Sequence, residues 1–306
     1  MPILDLPTYV KHVGMDGDYR TADTPCEVCG SPAFSIIREA VLVNEGLEVA
    51  LKVVACDVCG FLFQTPRFDA GFYDAYYNSH YRRMLSGWTV PSEEFIEDQI
   101  TRGEFLFTNL SPILPAPGRM LDVGCSSGGI MHVFLKYGWT AFGTDPDAGY
   151  VEYGRARLHA PVQLQRAEDM DLEPGSFDLV VITGSLEHVF DPNRVMAICH
   201  RAAKPGALLV LEGRGLAQAR QVGHCSHNHR RYLTLSSIEL IMRKHGWEPL
   251  VITDEQLCGP TRPQSSFGIG AAGAVPEAAE FQVLVSSQNR ETSEQIRADF
   301  DRWKIR

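Results

Sequence analysis

Arg119-Met120-Leu121-Asp122-Val123-Gly124-Cys125-Ser126-Ser127-Gly128-Gly129 is an apolar run that turns on glycines and leads into an amphipathic pattern from Ile130. Met120, Leu121 and Val123 predict a short parallel strand buried on both faces. Gly124, Gly128 and Gly129 let the backbone turn sharply and approach a ligand with no Cβ in the way. The helix that follows offers unpaired N–H groups and the positive end of its dipole. Together these features predict a nucleotide-type pocket. A dinucleotide fold requires Gly-x-Gly-x-x-Gly and a P-loop ends in Gly-Lys-Ser/Thr, and neither pattern is present.

Beyond this stretch the chain alternates strand and helix patterns, which predicts a parallel sheet wrapped by helices. Trp139 to Thr144 reads as the second strand, ending at Asp145. A carboxylate roughly twenty residues past the glycine turn is placed to bond a ribose diol, although an acidic helix cap suits the same position. Val162–Gln165, Phe177–Ile182 and Ala207–Glu212 read as further strands, the last entered through a Lys204-Pro-Gly206 turn. Ser236 to His245 reads as a helix, and Gly246-Trp247 opens the next strand. Thr253 to Glu280, rich in Gly, Pro and Ala, reads as a long connection to a last strand at Phe281–Ser286. Upstream, Pro91 to Leu110 predicts a helix capped by Ser92, with Phe95, Ile96, Ile100 and Phe105 as its apolar stripe.

The pattern Asp122-x-Gly124-x-Ser126-x-Gly128 resembles the first motif of class I S-adenosylmethionine-dependent methyltransferases, with Ser126 where that family carries its middle glycine. The run FDLVVITGSLEHVFDP (177–192), the helix after it, the Pro-Gly step and the next hydrophobic strand match the family layout in order and spacing. The resemblance covers about Cys26 to Leu250. It implies a doubly wound, mostly parallel seven-stranded α/β sheet that holds S-adenosylmethionine. Asp122, Gly124, Cys125, Ser126 and Gly128 would surround the cofactor at the first turn, with Asp145 and Pro146 at the ribose. Glu168, Asp169 and Met170 would stand at the adenine, Asp169 being the nearer contact, and Thr183 and Gly184 would follow the fourth strand. Tyr76, Tyr77 and Tyr81 lie where such families fold a lid over the cofactor. His188 is at the carboxyl end of a central strand, where open α/β sheets bind ligands. His229, Tyr232 and Leu233 fit the family's His-x-x-Tyr-Phe/Leu-Thr step, and with His227 they are candidates for acceptor recognition or proton transfer.

Two Cys-x-x-Cys-Gly knuckles, Cys26/Cys29 and Cys56/Cys59, precede all of this. Four thiolates in two such pairs can close a tetrahedron around a structural zinc ion, with the glycines permitting the turn behind each pair. Cys-x-x-Cys-Gly, an apolar strand, a Pro-Arg step and a Tyr-rich segment in that order resemble the zinc-ribbon lead-in of bacterial methyltransferases. Those enzymes act on sugars, surface glycans and secondary metabolites. His224, Cys225, His227 and His229 form a second metal-like cluster, but without the i, i+4 pairing that presents two ligands from one helix face.

The chain has 306 residues, a formal charge of −10 and eight cysteines. That acidity argues against gripping phosphate backbones. No apolar run reaches membrane-spanning length and no signal-peptide pattern opens the chain, so the cytoplasm is the expected location. The expected divisions are an N-terminal arm (1–25), a zinc-ribbon module with a Tyr-rich lid (26–90), a cofactor-binding domain (91–288) and a charged helical tail (289–306). The expected activity is methyl transfer to a small polar, sugar or natural-product acceptor, with O- or C-methylation favoured. RNA base methylation through the ribbon and a non-catalytic scaffold are the alternatives, and the sequence leaves a homodimer open.

Overall fold

The computed structural model describes residues 1–44, 46–81, 87, 89–114, 116–214, 225–263, 265–287, 294 and 296. Its N-terminal part holds β1 (Ile3–Leu4), α1 (Leu6–His12), β2 (Thr21–Ala22), β3 (Phe34–Arg38), β4 (Val41–Asn44), β5 (Leu47–Val49), β6 (Lys52–Cys56), β7 (Leu62–Thr65), β8 (Arg67–Phe68) and α2 (Ala70–Ser79). Residues 1–25 are not the loose arm expected of them. The Asp5 side chain accepts the Thr8 N–H at 2.7 Å and caps α1, and Tyr9 and Val13 are each 1% exposed in a core shared with Phe68 and Phe72. Seven helical residues among polar neighbours are too few for the 3.6-residue period to show in the sequence.

The second part runs α3 (Glu93–Leu110), β9 (Arg119–Val123), α4 (Gly129–Lys136), β10 (Thr140–Asp145), α5 (Ala148–Tyr153), β11 (Val162–Leu164), β12 (Phe177–Thr183), α6 (Pro192–Ala202) and β13 (Ala203–Arg214). After it come β14 (Arg231–Tyr232), α7 (Leu235–Lys244), β15 (Trp247–Thr253), β16 (Ser265–Ala272) and α8 (Ala278–Ser287). A seven-stranded sheet forms in the order β11-β10-β9-β12-β13-β16-β15, and only β16 runs antiparallel to its neighbours. β9 sits where the winding direction reverses, so the crevice at its carboxyl end is open to a ligand.

Four expectations about this part change. Ser92 does cap α3 through the Phe95 N–H at 3.2 Å, but the buried stripe is Ile96, Gln99, Gly103, Leu106 and Leu110, and Phe105 is 42% exposed. The helix is turned this way because Gly103 and Gly129 let α3 and α4 touch: a Cβ on Gly129 would lie 2.5 Å from Gln99 Cβ. Lys204-Pro-Gly206 is a bulge inside β13, between the pairs Phe177–Ala203 and Leu179–Leu208. The seventh strand is β16, taken from the stretch read as a loop. Its Gly268 and Gly270 make room for α7, since a Cβ at either would come within 2.4 Å of the Met242 side chain. Phe281–Ser286 is helical instead, and Phe281 and Val285, one turn apart, are buried against the sheet. The tail from 289 lies outside the described residues except for Glu294 and Ile296.

The two parts share a sheet as well as a chain. β14 pairs antiparallel with β7, completing the sheet β14-β7-β6-β3, so the segment after β13 is a strand of the N-terminal sheet.

Candidate active site

Gly124 follows β9 with φ 69°, and a Cβ there would stand 2.4 Å from Ser185 Cβ, so only glycine fits this turn. Ser126 adopts φ 56°, a left-handed conformation that glycine takes without strain. Gly128, at φ 78°, starts α4. Asp145 ends β10 and is 7% exposed. Its Oδ2 accepts the Ser126 N–H at 2.8 Å and its Oδ1 the Asp147 N–H at 3.0 Å, which fixes the carboxylate at the cleft edge. Asp122 lies beneath, 2% exposed. Burial, with Asp145 nearby, raises its pKa to about 7, although Arg102 opposes the shift.

One cleft joins this turn to the N-terminal part. Gly124, Asp145, Pro146, Glu168, Gly184 and His188 border it, and Tyr77 and Tyr81 roof it. Tyr73, Asp74, Arg166, Ser185 and Arg230 also line the cleft and were not singled out from the sequence. Tyr73 and Tyr77 stand at i and i+4 on one face of α2, Tyr81 follows just past its end, and that spacing was the available signal. Tyr76 is on the other face, 2% exposed and stacked with Phe72 in the N-terminal core, so it is not part of the roof.

The acidic pair Glu168–Asp169 divides between cleft and surface. Glu168 lines the cleft, its Oε1 accepting the N–H groups of Phe190 (2.5 Å) and Asp191 (3.2 Å). Asp169 is exposed and bonded to Arg166 at 2.8 and 3.1 Å, and Met170 is buried in the core. The short 3-10 turn at Ala167–Asp169 points consecutive side chains in different directions: Ala167 and Glu168 are buried and line the cleft, and Asp169 faces outward. Cys125, Ser126, Gly128 and Thr183 shape the turn and strand end without lining the cleft.

His188 Nδ1 lies 3.0 Å from the Asn228 carbonyl oxygen and 3.1 Å from the Tyr77 hydroxyl. A carbonyl only accepts, so Nδ1 carries the proton and Nε2 keeps its lone pair. Burial, with His229 and Arg230 close by, lowers the His188 pKa well below its usual value. The ring is therefore neutral near pH 7. His229 stands behind it, with ring centroids 4.9 Å apart.

Two other histidine-loop candidates do not reach the cleft. Tyr232 is 2% exposed, held in β14 and packed in the N-terminal core. His227 is 6% exposed, and its Nδ1 bonds the Tyr9 hydroxyl at 2.6 Å. Pairing of β14 with β7 turns Tyr232 inward, and the His227 N–H donates to the Leu42 carbonyl at 2.8 Å, holding His227 beside β4. Cys225 is buried in the same core, and His224 lies outside the described residues.

The four knuckle cysteines converge. Their sulfurs lie within 4.8 Å of one another, with Cys26–Cys59 and Cys29–Cys56 each at 3.5 Å. Zn–S bonds of about 2.3 Å in a tetrahedron place sulfurs about 3.8 Å apart, whereas a disulfide needs about 2.0 Å. The set fits a four-thiolate zinc site, and it is the metal-like cluster among the described residues.

The model of the methyltransferase domain family matches residues 121–211, from within β9 into β13. A methyltransferase domain therefore lies within this chain, over residues 121–211. This domain is similar to ubiquinone biosynthesis O-methyltransferases: 29% identity over 150 residues with that of Rhodopseudomonas palustris, covering 45% of this chain and 54% of the relative. With that of Pseudomonas aeruginosa the identity is 37% over 101 residues, covering 30% of this chain and 43% of the relative. The chain thus spans about half the length of the curated relatives it matches. The fold is also similar to that of Burkholderia thailandensis 1,6-didemethyltoxoflavin-N1-methyltransferase, solved with bound 1,6-didemethyltoxoflavin and S-adenosylhomocysteine. There the TM-score is 0.52 at 15% identity, covering 77% of this chain and all (100%) of that one.

Proposed function

We propose that the protein methylates a small polar acceptor, at oxygen in preference to carbon, using S-adenosylmethionine. The observation that carries this reading is a single roofed cleft with the Gly124–Asp145 cradle on one side and the neutral His188 on the other. Gly124 removes the Cβ that would block a close backbone approach, Asp145 is oriented to accept from a ribose diol, and Glu168 borders the adenine side. When bound, the cofactor supplies an electrophilic methyl group on its sulfonium. Tyr73, Tyr77 and Tyr81 exclude water and hold the acceptor at near-attack distance. His188 Nε2 receives the hydroxyl proton while the Asn228 carbonyl holds Nδ1–H and so keeps the ring oriented.

The O-methyltransferase names of the relatives support oxygen as the acceptor atom, and a roofed cleft in an acidic chain favours a small molecule over RNA. The four-cysteine site is proposed to hold a structural zinc ion. The deciding experiment incubates the protein with methyl-labelled S-adenosylmethionine and a panel of phenolic, sugar and hydroxy-acid acceptors. Label in an ether product supports the proposal. Cofactor binding with no transfer to any hydroxyl, amine or carbon acceptor would instead favour the scaffold.

A further inference from the structure

Arg230 is 1% exposed, yet it borders the cleft beside His188. Its Nε and Nη1 are buried and have no hydrogen-bond partner among the described residues. The guanidinium carbon lies 3.9 Å from the Tyr73 ring centroid, which satisfies one face of the cation but none of its N–H donors. The backbone is pinned: the Arg230 N–H donates to Glu187 O at 3.2 Å, and its carbonyl accepts from Gln64 N at 2.8 Å and Arg67 Nη2 at 3.2 Å. The main chain from which the side chain departs is therefore fixed.

The carboxylates of the cleft are engaged elsewhere. Asp74 pairs with Arg166, Asp145 accepts two backbone N–H groups, Asp147 accepts the Tyr150 N–H, and Glu168 accepts those of Phe190 and Asp191. Arg166 in turn is shared between Asp74 and Asp169. Burying a cation without an anion is costly, because the lost hydration is not replaced. A ligand anion would replace it, and an arginine with two open donors suits a carboxylate or phosphate.

We propose that Arg230 anchors an anionic group, a carboxylate or phosphate, of a molecule bound in this cleft. Two sources can supply that anion: the acceptor, which would then be an acidic compound, or the amino-acid carboxylate of the cofactor. Only the identity of the ligand rests on the methyltransferase reading. The cation and its open donors stand without it.

Calorimetry on wild type and Arg230→Met separates the cases. The probes are inorganic phosphate, S-adenosylhomocysteine and 5′-methylthioadenosine, which lacks the amino-acid carboxylate. Phosphate is titrated into protein with and without saturating S-adenosylhomocysteine, at constant ionic strength. If the anion is the acceptor's, wild type binds phosphate alongside S-adenosylhomocysteine. Arg230→Met then weakens phosphate roughly ten- to a hundredfold and leaves S-adenosylhomocysteine unchanged. If the anion is the cofactor's, Arg230→Met weakens S-adenosylhomocysteine by a similar factor and leaves 5′-methylthioadenosine unchanged. Unchanged affinity for both phosphate and S-adenosylhomocysteine in the variant overturns the proposal. Failure of wild type to bind S-adenosylhomocysteine sinks the methyltransferase reading, while the phosphate titration of ligand-free protein still reports on Arg230. Should Arg230→Met not fold, crystal structures of wild type with phosphate and with S-adenosylhomocysteine decide: a phosphate or carboxylate oxygen within hydrogen-bond distance of Nε or Nη1 in either supports the anchor, and none in both overturns it.

Discussion

Glu27, between the two cysteines of the first knuckle, forms a double ion pair with Arg231, at 2.7 Å (Nη2–Oε1) and 2.9 Å (Nε–Oε2). Arg231 Nη1 donates in turn to the carbonyls of Leu186 and Val189, both at 2.7 Å, which bracket His188. Arg67 holds the other edge of the Glu27 carboxylate, and Asn193 and Lys244 hold its carbonyl at 3.0 and 2.6 Å. The knuckle is thus fastened to the loop that carries the proposed base.

Glu27→Gln should destabilise the protein by about 3–5 kcal/mol, because it leaves two buried guanidiniums without their anion. Burial alone would raise the Glu27 pKa, but Arg231 and Arg67 outweigh it and hold the carboxyl far below its usual value. A depressed folded pKa contributes stability that is complete above the unfolded value of about 4.3 and is lost as the pH falls towards the folded one. Urea unfolding of wild type and variant should show a constant gap above pH 5 that narrows below about pH 4. A gap that widens in acid would contradict the pairing.

Elemental analysis should find about one zinc per chain, as a closed four-thiolate site requires. Cys26→Ser/Cys56→Ser should lose it. Chelation should loosen the N-terminal part and, through Glu27, the loop around His188, visible as faster amide exchange there. Full zinc occupancy in the double variant would remove the assignment.

Gly124→Ala places a methyl group 2.4 Å from Ser185 Cβ on a backbone with φ 69°. The left-handed conformation alone costs roughly 1–2 kcal/mol in a residue with a Cβ, and the contact adds to it. Thermal unfolding should show the loss, and S-adenosylhomocysteine binding should fall with it. Ser126→Gly should go the other way, gaining up to about 1 kcal/mol once the added freedom of the unfolded chain is subtracted.

His188→Ala should lower turnover about 10²–10⁴-fold while S-adenosylhomocysteine binding stays close to wild type. The depressed His188 pKa keeps the base neutral, so turnover in wild type should hold level as the pH falls to about 6.5, the ordinary histidine value. Tyr232→Phe, in the core, should change stability and leave the turnover of folded protein unaltered. An acid limb centred above pH 7, lost in His188→Ala, would show that the ring is charged at rest.

Much of the sheet was legible because β9, β10, β12 and β13 are apolar runs ending in turn chemistry, and local signals of that kind survive in a sequence. The four cysteines were legible for the same reason. β16 was not, since Gly268 and Gly270 are there for α7 to pack upon, and glycine reads locally as a breaker. The site divides similarly. Asp145 and Gly124 follow from spacing along one strand and turn. Which of Glu168 and Asp169 faces inward depends on a single turn, and Tyr232 is withdrawn by pairing with β7, more than 160 residues earlier. Arg230 offered no pattern at all, because its position is set by that same long-range pairing.

Calorimetric titration of S-adenosylhomocysteine into wild type and Asp145→Ala tests the cofactor cradle most directly. Wild type should show one site per chain, and the variant a loss of about 1–3 kcal/mol, roughly ten- to a hundredfold in affinity, as a bidentate ribose contact disappears. Wild-type affinity in Asp145→Ala, or tighter binding of NAD than of S-adenosylhomocysteine, would contradict the cradle assignment.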